Sequence, residues 1–423
     1  MRTHDLAVIG GDGIGPDVTA AALAAVHAAA EHFGFVVRTT GFDIGAEAYL
    51  RTGIVLGDDT VEVLRKHDAI LLGAVGDPRV APGILEQGLV IALRVALHQS
   101  VNIRPVRLYP GVTSPVCGVT PDNCDIVIIR ENTEGLYSGG GSTSHAGTPH
   151  AVALQNSVTT TQATRDTVEF AFRLAAARRR KLTLCHKKNV LVHAGRLWQD
   201  IVDQVAADFP DVEHDYVHAD AMCQHLPLDP GRFDVVVTDN LFGDIISDLG
   251  ATVQGGLGLA ASANFNPLGT APSMYEPVHG SAPDIAGKGW ANPAAAALSA
   301  ALCLAGLGER EAALAIEAAT SSVLAELPAF AGPGMGASTD EIGSRIATRV
   351  GEVDPAGLGD PDLSLMAALA HVAPKRVSRH ARRGPSEPGP RCDGPPPART
   401  EPSETCPGGN LCQLGDSSPE VSA

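Results

Sequence analysis

Two carboxylates four residues apart, Asp244 and Asp248 in Phe242-Gly243-Asp244-Ile245-Ile246-Ser247-Asp248, are the most chemically informative feature of this chain. On a helix that spacing puts both on one face, and like charges held there repel unless a cation lies between them. A divalent cation with hard oxygen ligands satisfies the arrangement. An acidic first turn favoured by the helix dipole satisfies it too. A third carboxylate, Asp220 in Asp220-Ala221-Met222, stands upstream.

Arg94, Arg104 and Arg130 form a second group. Arg94 and Arg104 are expected to bracket a helix that Pro105 terminates in Asn102-Ile103-Arg104-Pro105. Arg130 opens Arg130-Glu131-Asn132-Thr133-Glu134-Gly135-Leu136-Tyr137 directly after an apolar run, and an arginine at the C-terminal end of a parallel strand faces the ligand crevice. Each guanidinium can grip a carboxylate through two parallel hydrogen bonds, so the trio suits a small di- or tricarboxylate. Any one of them alone also reads as a surface charge. Lys187, in Cys185-His186-Lys187-Lys188-Asn189-Val190, is suited to proton transfer if a metal and arginines lie nearby, although adjacent lysines also read as solvent-exposed.

The run Glu276-Pro277-Val278-His279-Gly280-Ser281-Ala282-Pro283-Asp284 combines small residues that admit close backbone approach, an imidazole, and an acid for a diol. A carboxylate at Asp284 can accept from both ribose hydroxyls and repels a 2′-phosphate, so an adenosine cofactor held here is expected to be NAD and not NADP. A generic glycine-rich loop is the plainer reading.

These residues need a scaffold, and the chain supplies one. Apolar runs at 6–9, 68–72, 124–129, 182–185 and 233–238 each end at polar or glycine residues, and helical segments separate them. Strands alternating with helices predict an α/β fold with mixed, largely parallel sheets flanked by helices. Gly11-Asp12-Gly13-Ile14-Gly15 after the first run resembles a dinucleotide fingerprint. Its third glycine comes one residue early, and only Asp43 is near the place of the ribose-binding acid, so a tight strand-to-helix turn is the better reading. The Ala-rich stretch 291–308 reads as a buried helix, being too short and too weakly apolar for a membrane span.

At 423 residues the chain can bury a large core, divided between two lobes. A formal net charge of -17 repels phosphate backbones and anionic lipid, which argues against nucleic-acid and membrane partners. It also means that an anionic ligand must be captured by a local cationic cluster. The eight cysteines form no CxxC pair and no signal peptide precedes the first strand, which fits a reducing cytoplasm. From 374 to 423 ten prolines and a basic run replace apolar periodicity, so this tail is expected to be disordered.

Taken together, the segments 11–17, 94–105, 130–137, 186–190, 220–222, 240–248 and 276–292 resemble the β-decarboxylating dehydrogenases, which act on 3-isopropylmalate, isocitrate, homoisocitrate, tartrate and D-malate. The resemblance covers about four fifths of the chain. It implies a two-lobed fold unlike the Rossmann type, with a discontinuous cofactor lobe at 1–104 and 256–352 and a central substrate, metal and dimerisation lobe at 105–255.

By the same resemblance, Arg94, Arg104 and Arg130 would bind substrate carboxylates, while Asp244, Asp248 and Asp220 of the partner subunit would hold Mg2+ or Mn2+ against the substrate. Tyr137 and Lys187 of the partner subunit would be the acid–base pair. The strand end at Glu276 and the loop His279, Gly280, Ser281, Ala282 and Asp284, with Asn292, would hold the NAD. The site would be shared across a homodimer.

Specificity is expected just before Arg94, in residues 83–93, where Leu89, Val90 and Ile91 are apolar. Isocitrate enzymes typically place Ser and Asn here, so an apolar substituent is the better fit, and the stretch resembles actinobacterial 3-isopropylmalate dehydrogenases of leucine biosynthesis. Residues 130–135 resemble the isocitrate and tartrate branches, which keeps isocitrate, homoisocitrate, tartrate, D-malate or a specialised-metabolism analogue open as substrates. A non-catalytic regulatory subunit is the alternative of another class.

Overall fold

Apolar segments such as Val235–Thr238 are buried on both faces, a pattern that suits a sheet covered by helices on each side. The computed structural model describes residues 2–330, 332–354, 360 and 362–374, and the proline-rich tail expected from 374 onward lies outside them beyond that first residue. Among the described residues the strands are β1 Thr3–Gly11, β2 Val36–Gly41, β3 Ala69–Ala74, β4 Val101–Arg107, β5 Asp125–Glu131, β6 Gly141–Ser144, β7 Val152–Gln155, β8 Lys181–His186, β9 Glu213–His218, β10 Val235–Thr238, β11 Ala261–Phe265 and β12 Ser273–Pro277.

Ten of these join in one sheet of order β2-β1-β3-β12-β11-β4-β5-β10-β8-β9, while β6 and β7 form a separate antiparallel pair. The pairings are parallel except around β4 and β11, where β12-β11, β11-β4 and β4-β5 run antiparallel. The mixed, largely parallel sheet anticipated from the alternating pattern is therefore present. The Ala-rich stretch is a helix, Ala294–Gly306, buried along nearly its whole length and packed against Gly15–Phe33 and Arg310–Leu324. Small alanines let those helices approach closely with little side-chain entropy lost.

The segment containing Pro105 departs from expectation. Residues 101–107 are strand β4 and not the end of a helix, and Arg94 sits inside the short helix Ala92–Ala96. Proline lacks the N–H of a central ladder, yet Pro105 pairs with Val127 across an antiparallel rung. Burial of β4 and its pairing with a neighbour on each edge outweigh that one missing donor. The glycine-rich turn after β1 is a tight strand-to-helix connection: Gly11 and Gly13 take φ of 73° and 57°, and a Cβ on Gly13 would stand 2.0 Å from the Ser281 carbonyl oxygen.

Candidate active site

The C-terminal ends of adjacent parallel strands gather the expected residues. Arg130, one residue before the end of β5, lies opposite Thr238 of β10, and Thr238 in turn lies opposite Cys185 of β8, just before His186 and Lys187. The helix Asn240–Val253 starts directly after β10, with Asp239 as its cap accepting the Phe242 N–H at 2.8 Å. Asp244 and Asp248 therefore lie on one face of a helix that begins at the sheet edge.

Arg130 is 1% exposed and points along that helix. Its Nε and one terminal nitrogen donate to Asn240 Oδ1 at 3.0 and 2.7 Å, and its other terminal nitrogen pairs with Asp244. Gly243 makes room: a Cβ there would stand 2.5 Å from Arg130 Cγ. Tyr137, on a short turn after β5, donates its hydroxyl to Asp244 Oδ2 at 2.7 Å, and its ring lies 5.3 Å from the Arg130 guanidinium carbon. Asp248, 58% exposed at its side chain, reaches Arg104 at 4.0 Å.

These contacts pull the two acids in opposite directions. Burial raises the Asp244 pKa, but Arg130, the Tyr137 hydroxyl and Arg104 outweigh it and hold the carboxyl below its ordinary range. Burial raises Asp248, with the neighbouring Asp244 charge adding to it, and together they outweigh Arg104 and Arg130, which pull it down. Burial, with Asp244 as the next cause, raises Tyr137 and keeps its phenol protonated. Arg94, Arg104 and Arg130 are close enough to feel one another: burial and the other two charges lower Arg104 to about 10, and burial with Arg130 lowers Arg94 despite Glu276. Three buried guanidinium groups close enough to repel one another, each with a single acid beside it, form the local cationic cluster that a net-acidic chain requires to capture an anion.

Known proteins resemble this chain in sequence and in fold. The Isocitrate/isopropylmalate dehydrogenase family model matches residues 5–346. The chain belongs to that family. It is 54% identical over 352 residues to the 3-isopropylmalate dehydrogenase of Thermobifida fusca, covering 83% of this chain and 99% of that one. It is 52% identical over 342 residues to that of Corynebacterium glutamicum, covering 81% and 98%. Among solved structures, isocitrate dehydrogenase from Methylococcus capsulatus superposes with a TM-score of 0.74 at 35% identity, over 82% of this chain and 100% of that one. The TT0538 protein from Thermus thermophilus superposes with a TM-score of 0.73 at 33% identity, over 91% and 74%.

The loop expected to hold the cofactor follows β12. Strand β12 ends at Pro277, and the following loop packs on the glycine turn after β1, where the Ile14 N–H donates to the Ser281 carbonyl at 2.8 Å. Ala282 holds a left-handed φ of 39°, a strained value that surrounding contacts must enforce. His279 Nδ1 lies 3.0 Å from the Gly280 carbonyl, Nε2 is buried without a partner, and burial lowers the ring's pKa. Gly280 and Asp284 are exposed. Asn292 is buried and engaged on both sides, donating to the Phe330 carbonyl and accepting from the Ala294 N–H. Glu276 faces Arg94 at 3.4 Å.

Lys187 and Asp220 meet each other, Nζ to Oδ1 at 2.5 Å, and neither contacts the Asp244 group. Among the described residues no three His, Cys, Asp or Glu side chains converge as a metal site. One chain thus offers two hard oxygen donors one helical turn apart, which fits half of a divalent-cation site. The specificity stretch is a π-helix, Glu86–Ile91, running into Ala92–Ala96. Leu89 does not line a cleft: it is wholly buried in the apolar cluster with Ile9, Leu72 and Leu93, while Val90 and Ile91 remain partly exposed. Three contributors escaped the sequence reading: Asn240, Gly243 as a seat for Arg130, and Asp12, whose carboxylate accepts from the Ala46 and Gly76 N–H groups and fixes the glycine turn. Their partners lie 34 to 113 residues away, so no local spacing flags them.

Proposed function

We propose that this dehydrogenase oxidatively decarboxylates 3-isopropylmalate to 2-oxoisocaproate in leucine biosynthesis, with NAD+ and Mg2+ or Mn2+. The observation that carries the reading is the buried trio Arg94, Arg104 and Arg130 beside the acids of the Asn240–Val253 helix, in a chain more than half identical to proteins named for that activity. Val90 and Ile91, partly exposed on the turn before Arg94, supply the apolar surface that an isopropyl group needs and a third carboxylate does not.

In this reading the arginines grip the two carboxylates of the acid and orient its C2–H bond. When bound, the dication supplies Lewis-acid polarisation of the 2-hydroxyl, and NAD+ accepts the hydride from C2. Asp244 and Asp248 would hold the ion, joined by Asp220 of the partner subunit. Lys187 of the partner subunit takes the hydroxyl proton, and Tyr137 delivers a proton to the carbon that carbon dioxide has left. Asp284, exposed beyond the Ser281 turn, would accept from the adenosine ribose, with Glu276, His279, Gly280, Ser281, Ala282 and Asn292 shaping the rest of that pocket.

A shared homodimer site is supported by apolar residues exposed beside the chemistry. Ile245, between the two acids, is 51% exposed, Val190, Leu191 and Val192 follow Lys187 into solvent, and Leu154 on the β6-β7 pair is exposed too. A division into lobes at 1–104 with 256–352 and at 105–255 is supported by the sheet order, in which β2-β1-β3-β12-β11 come from the first and β5-β10-β8-β9 from the second, with β4 spanning the boundary. A reducing cytoplasm agrees with free thiols at Cys117, Cys124, Cys185, Cys223 and Cys303. Among the described residues no helix is long and apolar enough to cross a membrane.

The test is turnover by the purified protein of 3-isopropylmalate, isocitrate, homoisocitrate, tartrate and D-malate, each with NAD+ and NADP+. The highest kcat/KM is expected for 3-isopropylmalate with NAD+. Preference for another acid overturns the substrate, equal use of both cofactors overturns the role of Asp284, and no turnover with metal present revives the regulatory-subunit reading.

A further inference from the structure

Beneath the arginine trio, where the sheet turns antiparallel, runs an unbroken line of buried polar groups. Arg104 Nε donates to Asn102 Oδ1 at 2.6 Å, Asn102 Nδ2 donates to Asn264 Oδ1 at 2.9 Å, and Asn264 Nδ2 donates to Glu276 Oε1 at 2.7 Å. The same Glu276 oxygen faces Arg94 at 3.4 Å. Asn132 Nδ2 adds a second donor to Asn264 Oδ1 at 3.0 Å. Asn102 and Asn264 are wholly buried and Asn132 nearly so.

The line has a direction that its ends dictate. A guanidinium can only donate and a carboxylate can only accept, so each amide between Arg104 and Glu276 has one workable orientation. Backbone register supports it: Asn102 of β4 is directly opposite Arg130 of β5 on one side and Asn264 of β11 on the other. Asn264 is the one member that touches both halves, spending its oxygen on Asn102 and Asn132 and its nitrogen on Glu276.

We propose that Asn264 is a positioning residue that sets the spacing of Arg94 and Arg104, acting through Glu276 and Asn102, so that the two guanidinium groups meet the two carboxylates of one substrate. This rests on the reading of the arginines given above. An arginine fixed before substrate arrives does not lose side-chain freedom at the moment of binding, and a buried amide hub supplies that fixing.

Asn264→Asp is the near-isosteric test. Its carboxylate still accepts from Asn102 and Asn132 but sets an oxygen against Glu276 in place of a donor. The KM for the hydroxy acid is expected to rise about tenfold, as loss of a charge-assisted buried hydrogen bond implies. Adding Glu276→Gln restores a donor with the polarity reversed, and the swapped pair is expected to return KM to within about threefold of Glu276→Gln alone. A role in folding alone would lower Tm and leave KM unmoved.

Unchanged KM in Asn264→Asp, or no rescue by the swap, overturns the proposal. If the single variant does not accumulate, the folded swapped pair decides: KM near that of Glu276→Gln supports the hub, and KM about tenfold above it overturns it. Wild-type preference for another acid overturns the substrate assignment and not the hub, which is then read from the KM of that acid.

Discussion

One carboxylate organises an acid and a cation at once: Asp244 accepts the Tyr137 hydroxyl on Oδ2 at 2.7 Å while Oδ1 holds the Arg130 guanidinium. The proton that Tyr137 would deliver and the charge that would bind substrate are thereby tied to the same helix. Burial first, then Asp244, raises the Tyr137 pKa, so the phenol carries its proton at working pH. Tyr137→Phe is expected to lower kcat roughly 10²-fold with little change in KM. Steady-state kinetics with 3-isopropylmalate check this, and a KM effect without a kcat effect contradicts the assignment of proton donor.

Gly243→Ala opposes two effects of known size. Alanine gains up to about 1 kcal/mol in helix propensity, but its Cβ stands 2.5 Å from Arg130 Cγ, a buried stem with nowhere to retreat. Overpacking costs roughly 1–3 kcal/mol and wins. The variant is expected to lose stability in urea and to raise the KM for the acid about tenfold as Arg130 shifts; a more stable variant with unchanged KM refutes the seating of Arg130 by Gly243.

Lys187 and Asp220 pair with each other and not with the Asp244 group, so the proposed shared site takes both from the partner subunit. Lys187→Ala and Asp244→Asn are each expected to be nearly inactive. Unfolded together and refolded as a mixture, they form heterodimers with one intact site, so about a quarter of wild-type activity is expected to return for random pairing. Absence of complementation places the whole site within one chain.

Asp239 caps the helix of Asp244 and Asp248 while half-buried 3.5 Å from His186. Burial raises Asp239 to about 6, and burial lowers His186 to about 4, so both are neutral near pH 5. A carboxyl whose folded pKa is raised contributes stability that is complete below its unfolded pKa and lost as pH rises through about 6. Asp239→Asn keeps a good cap and removes that dependence. The variant is expected to exceed the wild type in urea stability at pH 7.5, by on the order of 3 kcal/mol at most, and by roughly half as much at pH 5. A difference that does not change with pH contradicts the raised pKa.

Sequence alone was enough for whatever depends on local spacing. The strand-turn-helix alternation, the buried Ala-rich helix, the tight glycine turn and the placing of Asp244 and Asp248 on one helical face follow from periodicities of 2 and 3.6 and from residues that only certain backbones accept. It misread residues 101–107 as a helix end, because Pro105 outweighs its neighbours in local propensity and is itself outweighed by pairing on both edges of β4. Only the folded chain decided that Leu89 belongs to the core, that Gly243 seats Arg130, and that Asn102 and Asn264 link two arginines. Those facts are contacts between strands far apart in sequence, and a hydrogen bond between distant segments leaves no periodic mark on either of them.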